Sequence, residues 1–252
     1  MRVPTRAVRR LVTVAVAAGV AVTAPFALVA CGTVASGGDA ERTSLAQQLT
    51  EQGDAPAPTA AANAEIAANA LAVLESIEVA PRTEWDGPFD RARSFGDGWG
   101  DPDGNGCDAR NDALARELTD VALLGDGCRV ERGSFHDPYS GETVEFVRGP
   151  GTSDDVQIDH VVALYNSWRT GAQDLSFDER VALANDPLNL QPTLDWVNDE
   201  KMSQDASQWL PPSESYHCVY VARQIAVKAS YELWVTAAER DAMTRVLHDC
   251  GG

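Results

Sequence analysis

The sequence predicts one α+β domain of about 190 residues, preceded by an export signal and a tether. Three observations predict it. Short runs rich in β-branched residues, such as Val156-Gln157-Ile158-Asp159-His160-Val161-Val162, alternate with longer stretches of helical period. Helix-start signals recur at Asp108, Ser176 and Thr236. Of five cysteines, one lies in the leader, and the even number left over points to two disulfides.

Arg2, Arg6, Arg9 and Arg10 precede an apolar run from Leu11 to Ala30, and Leu28-Val29-Ala30-Cys31-Gly32 has the form of a lipobox. Residues 1–31 are therefore expected to be a lipoprotein signal peptide. Lipidation of Cys31 would tether the mature chain to the outer face of the cytoplasmic membrane without spanning it. Ordinary cleavage nearby with secretion, or a retained anchor helix, are the alternatives. Residues 32–62 are mostly Ala, Thr, Gly, Ser, Pro and Gln and cannot bury enough apolar surface to fold, so they read as a disordered tether. Residues 63–252 remain as the folded domain.

Within it, Ile66, Leu71, Leu74 and Ile77 suit an amphipathic helix over 64–77, with Pro81 just beyond. Residues 91–108 are rich in Gly, Asp and aromatics and read as an ordered loop. Asp101, Asp103, Asn105, Gly106 and Asp112 follow the spacing of a calcium-binding EF-hand loop. The twelfth position carries Asp rather than Glu and the seventh is Cys107, so a turn made of good turn formers is the alternative. Asp108 is placed to cap a helix over 109–122 that carries Leu114, Leu118 and Val121 on one side. Residues 128–135 and 142–147 then read as a β-hairpin, and His136 in its turn reads as a solvated residue.

Residues 156–162 form the next strand, and 164–170 a helical turn ended by Gly171. Ser176 and Glu179 make a capping box for a helix that stops before Pro187. Residues 189–192 are extended, and helices are expected over 195–208, 214–233 and 237–249, the last with Thr236 and Glu239 as a second capping box. Cys107, Cys128, Cys218 and Cys250 contain no Cys-x-x-Cys pair, which favours disulfides over a zinc site. Three pairings are open. The sequence-local one, Cys107 with Cys128 and Cys218 with Cys250, is expected, each worth roughly 3 to 4 kcal/mol on the chain-entropy model.

An Asp-His pair in an apolar strand, followed by Asn189 and then by Asn198-Asp199-Glu200-Lys201, resembles the HNH (ββα-metal) nucleases. The likeness covers nearly the whole domain, through Phe95-Gly96-Asp97-Gly98-Trp99, Cys107-Asp108-Ala109-Arg110-Asn111, Asp137-Pro138-Tyr139-Ser140-Gly141, Ile158 to Leu164, Ala184 to Leu190 and Trp209-Leu210-Pro211. This ordered set is similar to the exported bacterial HNH endonuclease family whose domain also occurs at the C-terminus of GmrSD-type restriction enzymes. The resemblance implies a ββα-metal core at about 156–208, embellished with surrounding helices and a β-hairpin, and phosphodiester hydrolysis of DNA, with RNA as the alternative. His160 is the general-base candidate, because an imidazole can take a proton from water near neutral pH.

Asp159 and, by resemblance, Asn198 would hold a divalent ion, Mg²⁺ or Mn²⁺. Successive strand residues point to opposite sides, so Asp159 can join His160 only if the backbone bends there. Asn189 is expected to pin the loop by backbone hydrogen bonds. Lys201, one helical turn after Asn198, could reach a phosphate, and Arg148, Arg110, Arg223 and Lys228 are further cation candidates. Each has a plainer reading: a buried structural Asp-His pair, exposed helix residues at Asn198 and Lys201, and core tryptophans at Trp168, Trp196 and Trp209 rather than base-stacking ones.

The net charge of −18 weighs against a nucleic-acid enzyme, since phosphate binding normally uses a basic surface, and it implies weak, salt-sensitive substrate binding. A different class of function is a non-catalytic surface lipoprotein that binds calcium or a cell-wall partner through the acidic loop.

Overall fold

The computed structural model describes residues 37–52, 59–85 and 87–250. The signal peptide and Cys31 lie outside them. Among the described residues no helix is long and apolar enough to cross a membrane.

The fold is α+β, as expected, with both disulfides in the sequence-local pairing: Cys107 to Cys128 with Cα atoms 5.2 Å apart, and Cys218 to Cys250 at 5.8 Å. The first difference lies in the segment read as a tether. Gly37–Gln52 is a helix, α1, that packs on α2 (Ala60–Glu75) and α8 (His217–Ser230). Leu45 and Leu49, one turn apart, are buried, and Asn69 Nδ2 on α2 donates to Gln48 Oε1 at 2.9 Å. Average composition hid two leucines at helical spacing, which suffice to seat one face on an alanine-rich neighbour. α2 starts at its Thr59 cap, four residues earlier than predicted, and buries Ile66, Ala67, Ala70, Val73 and Leu74.

α3 (Arg91–Phe95) is a short helix inside the predicted loop, capped by Asp90, whose side chain accepts from Arg93 N. α4 (Ala109–Glu117) begins at the predicted Asp108 cap but stops five residues early. Leu118–Leu123 is instead a strand, β1, pairing antiparallel with β2 (Val130–His136), which pairs with β3 (Thr143–Val147). The hairpin is therefore a three-stranded sheet. Cross-strand pairing overrides a helical pattern that a Thr and a Val had already weakened. The register is irregular between Thr119 and Ala122, where Asp120 takes a positive φ of 52°.

β4 (Val156–His160) pairs with β5 (Leu190–Leu194) as a separate antiparallel ribbon, and α7 (Asp195–Lys201) packs across both. This is the strand-strand-helix order expected at the centre of the domain. Between the strands lie α5 (Leu164–Ser167), a π-turn ending near Gly171, and α6 (Phe177–Asn185), which opens with both halves of the Ser176/Glu179 capping box formed. α7 is half its predicted length. It ends at Met202, where φ is +53°, a conformation that blocks further helical turns. α8 and α9 (Ala237–Asp249) close the chain, with the Thr236/Glu239 capping box formed. The largest apolar cluster joins α1, α2, the β-ribbon and α8, with Tyr139, Tyr220, Phe135 and Phe146 at its centre.

Candidate active site

β4 places Asp159 and His160 on opposite sides. The strand runs unbroken to its end, with Asp159 paired to Gln191 and His160 to Leu190, so the bend that the metal-ligand reading required is absent. Gln157 and Asp159 share the side facing α7. Two positions along a strand nearly match one turn of a helix, and two contacts form in step: Asn198 Nδ2 donates to Gln157 Oε1 at 2.6 Å, and Lys201 Nζ to Asp159 Oδ1 at 2.7 Å.

Asp159 is 4% exposed and both its oxygens are engaged, the second by the hydroxyl of Tyr139 at 2.9 Å. Burial first, and the Asp159 charge second, raise the Tyr139 phenol well above its ordinary pKa, so it stays protonated and donates. Tyr139 is held in turn by Asp137, which accepts from Tyr139 N and Thr193 Oγ1 and so links the β2–β3 turn to β5. Nothing but its place in Asp137-Pro138-Tyr139-Ser140-Gly141 singled Tyr139 out in the sequence.

His160 faces the other way. Its Nε2 lies 2.9 Å from the carbonyl oxygen of Ala184. A carbonyl can only accept, so Nε2 carries the hydrogen and Nδ1 keeps its lone pair in the neutral ring. The ring stacks on Trp99, with centroids 5.8 Å apart and planes 10° from parallel. Burial first, and the nearby Arg91 charge second, lower the imidazole pKa to about 4, so at neutral pH the ring is uncharged.

The carboxyl end of α6 organises this side. Asn189 is fully buried; its Oδ1 accepts from Val162 N at 2.8 Å, and its Nδ2 donates to Leu183 O at 3.1 Å. Ala184 holds His160, and Asn185 Oδ1 accepts from Gly100 N at 2.7 Å, fixing the loop that carries Trp99. Three consecutive residues thus take three partners where a helix leaves its last polar groups unsatisfied. Both polar atoms of the Asn189 side chain are thus engaged with backbone groups.

The other sequence candidates are not brought to this place. Lys201 is fully buried between Asp159 and the His160 carbonyl, so it does not reach out to a phosphate. Arg148 donates to Val130 O and Asn111, and Arg110 to the carbonyls of Ser153 and Val156. Arg223 is buried against Leu188 O, Leu190 O and Gln191, and Lys228 pairs with Glu239 at 2.9 Å. Each of these cations serves as an internal hydrogen-bond hub because the carbonyls it serves would otherwise be buried without a donor. Trp168 and Trp209 join aromatic clusters, whereas Trp196 is 45% exposed on α7.

The acidic loop closes on itself. Asn105 N donates to Asp101 and Asp103, and Asn105 Nδ2 to Asp103 and Asp112. Among the described residues no cluster of three or more His, Cys, Asp or Glu is arranged to hold a metal ion.

The domain is α+β, with a buried histidine at the end of a strand-strand-helix unit and two disulfides. The chain belongs to the family of GmrSD restriction endonuclease C-terminal domains, whose sequence model matches residues 108–246. That membership makes its function nuclease-related. An "Uncharacterized secreted protein" of the fungus Arthroderma benhamiae is 36% identical over 198 residues, spanning 78% of this chain and 91% of that protein. No solved structure matches.

Proposed function

We propose that the chain is an exported HNH endonuclease that hydrolyses DNA, or alternatively RNA, with His160 as the base. The observation that carries this reading is the pairing of His160 Nε2 with the Ala184 carbonyl, which leaves Nδ1 as the ring's proton acceptor. Nδ1 takes a proton from a water, the water oxygen bonds to phosphorus, and the bond from phosphorus to the 3′ oxygen breaks, that oxygen taking a proton from solvent to leave a 3′-hydroxyl and a 5′-phosphate end. Trp99 keeps the ring in one orientation and excludes bulk water from one of its faces.

Asp159 and Asn198 bring a carboxylate and an amide oxygen, donors that suit Mg²⁺ or Mn²⁺. A positive charge already stands against Asp159, namely the Lys201 ammonium. Asp159 and Asn198 would hold a divalent ion only by its taking over the charge that Lys201 supplies. An ion held there would lie on the α7 side of β4, opposite His160, and would neutralise charge on the phosphate and its leaving oxygen only with a bend at the strand end that brings the two together. The leader and the relative described as secreted support export, with Cys31 as the proposed lipid anchor.

The purified chain, incubated with plasmid and with single-stranded DNA and RNA in Mg²⁺, Mn²⁺ or chelator, is expected to cut one of them in a metal-dependent way. His160→Ala is expected to abolish the cutting. Cutting by His160→Ala at the wild-type rate would remove the basis of the assignment, and metal-independent cutting would remove the metal from it.

A further inference from the structure

The cations singled out from the sequence are all engaged with partners inside the domain, which leaves a phosphate beside His160 without an evident partner. Arg91 shares an aromatic neighbour with His160. It opens α3, is exposed, and lies over the Trp99 ring with its guanidinium carbon 5.5 Å from the centroid. The same ring stacks on His160. Among the described residues the Arg91 side chain makes no hydrogen bond or ion pair. Partial burial removes some of its hydration and lowers its pKa, yet a guanidinium stays charged at any working pH. Its charge reaches His160, where it is the second cause of the lowered imidazole pKa after burial. Neither Arg91 nor Trp99 falls within the residues matched by the family, 108–246.

We infer that Arg91 is the substrate-binding residue that receives a nucleic-acid phosphate beside His160, with Trp99 setting its position; this rests on the nuclease reading above. The planar guanidinium offers two parallel N–H donors to a phosphate, and its unpaired state in the free protein means that no internal bond must break first. The loop carrying Trp99 is fixed to the end of α6 through Gly100 and Asn185, the same element that holds His160. Arginine, indole and imidazole are therefore set by one support. One outward guanidinium, rather than a basic stripe, is how a chain of net charge −18 can engage a polyanion weakly and briefly.

The test uses the full chain with a fluorescent oligonucleotide and has two arms. Cleavage kinetics in Mg²⁺ compare wild type with Arg91→Gln and Arg91→Lys; equilibrium binding in chelator compares His160→Ala with His160→Ala/Arg91→Gln. Arg91→Gln is expected to raise KM on the order of tenfold and to weaken binding by a similar factor. The slope of log affinity against log salt should fall by about 0.7 to 0.9, the loss of one phosphate contact. Arg91→Lys should restore the salt slope and part of the affinity, and the melting temperature should not change. Unaltered KM, binding and salt slope in Arg91→Gln overturn the inference. Failure of the wild-type chain to cut any nucleic acid removes the nuclease reading instead; the binding arm then decides Arg91 by itself, equal affinities of its two variants overturning it and a loss supporting it.

Discussion

Replacing Lys201 by Met tests both the core and the metal. Lys201 is fully buried and Asp159 is 4% exposed. The ammonium donates to Asp159 Oδ1 at 2.7 Å and to the His160 carbonyl at 2.8 Å. Methionine keeps most of the length and volume but leaves the carboxylate with only the Tyr139 hydroxyl as partner. Breaking such a pair from one side costs about 3 to 5 kcal/mol, a large part of the ~5 to 15 kcal/mol that holds a domain together. Urea unfolding at neutral pH measures it. Asp159→Asn in the same background removes the stranded charge, and the double variant is expected to recover on the order of 2 kcal/mol of the loss. A loss under about 1 kcal/mol for Lys201→Met would refute the reasoning, because it would mean that Asp159 is not a buried charge dependent on that ammonium. Magnesium supplies the second readout. If Asp159 and Asn198 hold the ion, it no longer competes with an ammonium in Lys201→Met, and added Mg²⁺ should raise that variant's melting temperature more than the wild type's. Equal, null responses would remove Asp159 from the ligand set.

Three further outcomes follow from individual residues. The His160 pKa of about 4 lies below its ordinary value of 6.5, so between those values the unfolded chain binds a proton that the folded chain refuses, and stability falls as pH drops. The contribution lost by about pH 5 is roughly 2 kcal/mol, read as the difference between wild-type and His160→Gln unfolding free energies across pH; parallel pH curves for the two would contradict the shift. Met202 has a φ of +53° and ψ of −127° and is 70% exposed, so Met202→Gly relieves backbone strain without loss of packing and is expected to stabilise the chain by about 1 kcal/mol in urea unfolding. Asn189→Ala strands the buried Val162 N–H and the Leu183 carbonyl, and unfolding should register a loss of about 2 to 3 kcal/mol, whereas a loss below about 0.5 kcal/mol would show that water replaces the amide.

Local signals were legible where they act locally. The Asp108, Ser176 and Thr236 caps, both capping boxes and both disulfides stand where the sequence puts them, because each depends on residues close along the chain or on a short loop. What was not legible depends on partners far away in sequence. β1 exists because β2 lies beside it, and α1 because Leu45 and Leu49 find α2 and α8. The cations misled for the same reason. A lysine one turn after Asn198 looks like an outward-facing residue until the strand opposite is known to present Gln157 and Asp159 to that face of the helix. Trp99 and Tyr139 were visible as parts of motifs, yet nothing in their spacing said that one would lie against His160 and the other against Asp159.

The stop signal of α6 links the two kinds of information. Pro187 and the residues before it end the helix at Asn185, a matter of local chemistry. Ending it there leaves the Ala184 carbonyl without the N–H that another turn would have supplied, and Pro187 has no N–H to give the Leu183 carbonyl in any case. Those carbonyls are then claimed by Asn189 and His160, residues on either side of the β4–β5 ribbon. A helix one turn longer would satisfy the Ala184 carbonyl through the N–H of Leu188 and leave the imidazole no acceptor to fix its tautomer. The position of a helix end, readable from a proline, thus decides which nitrogen of a distant histidine keeps its lone pair.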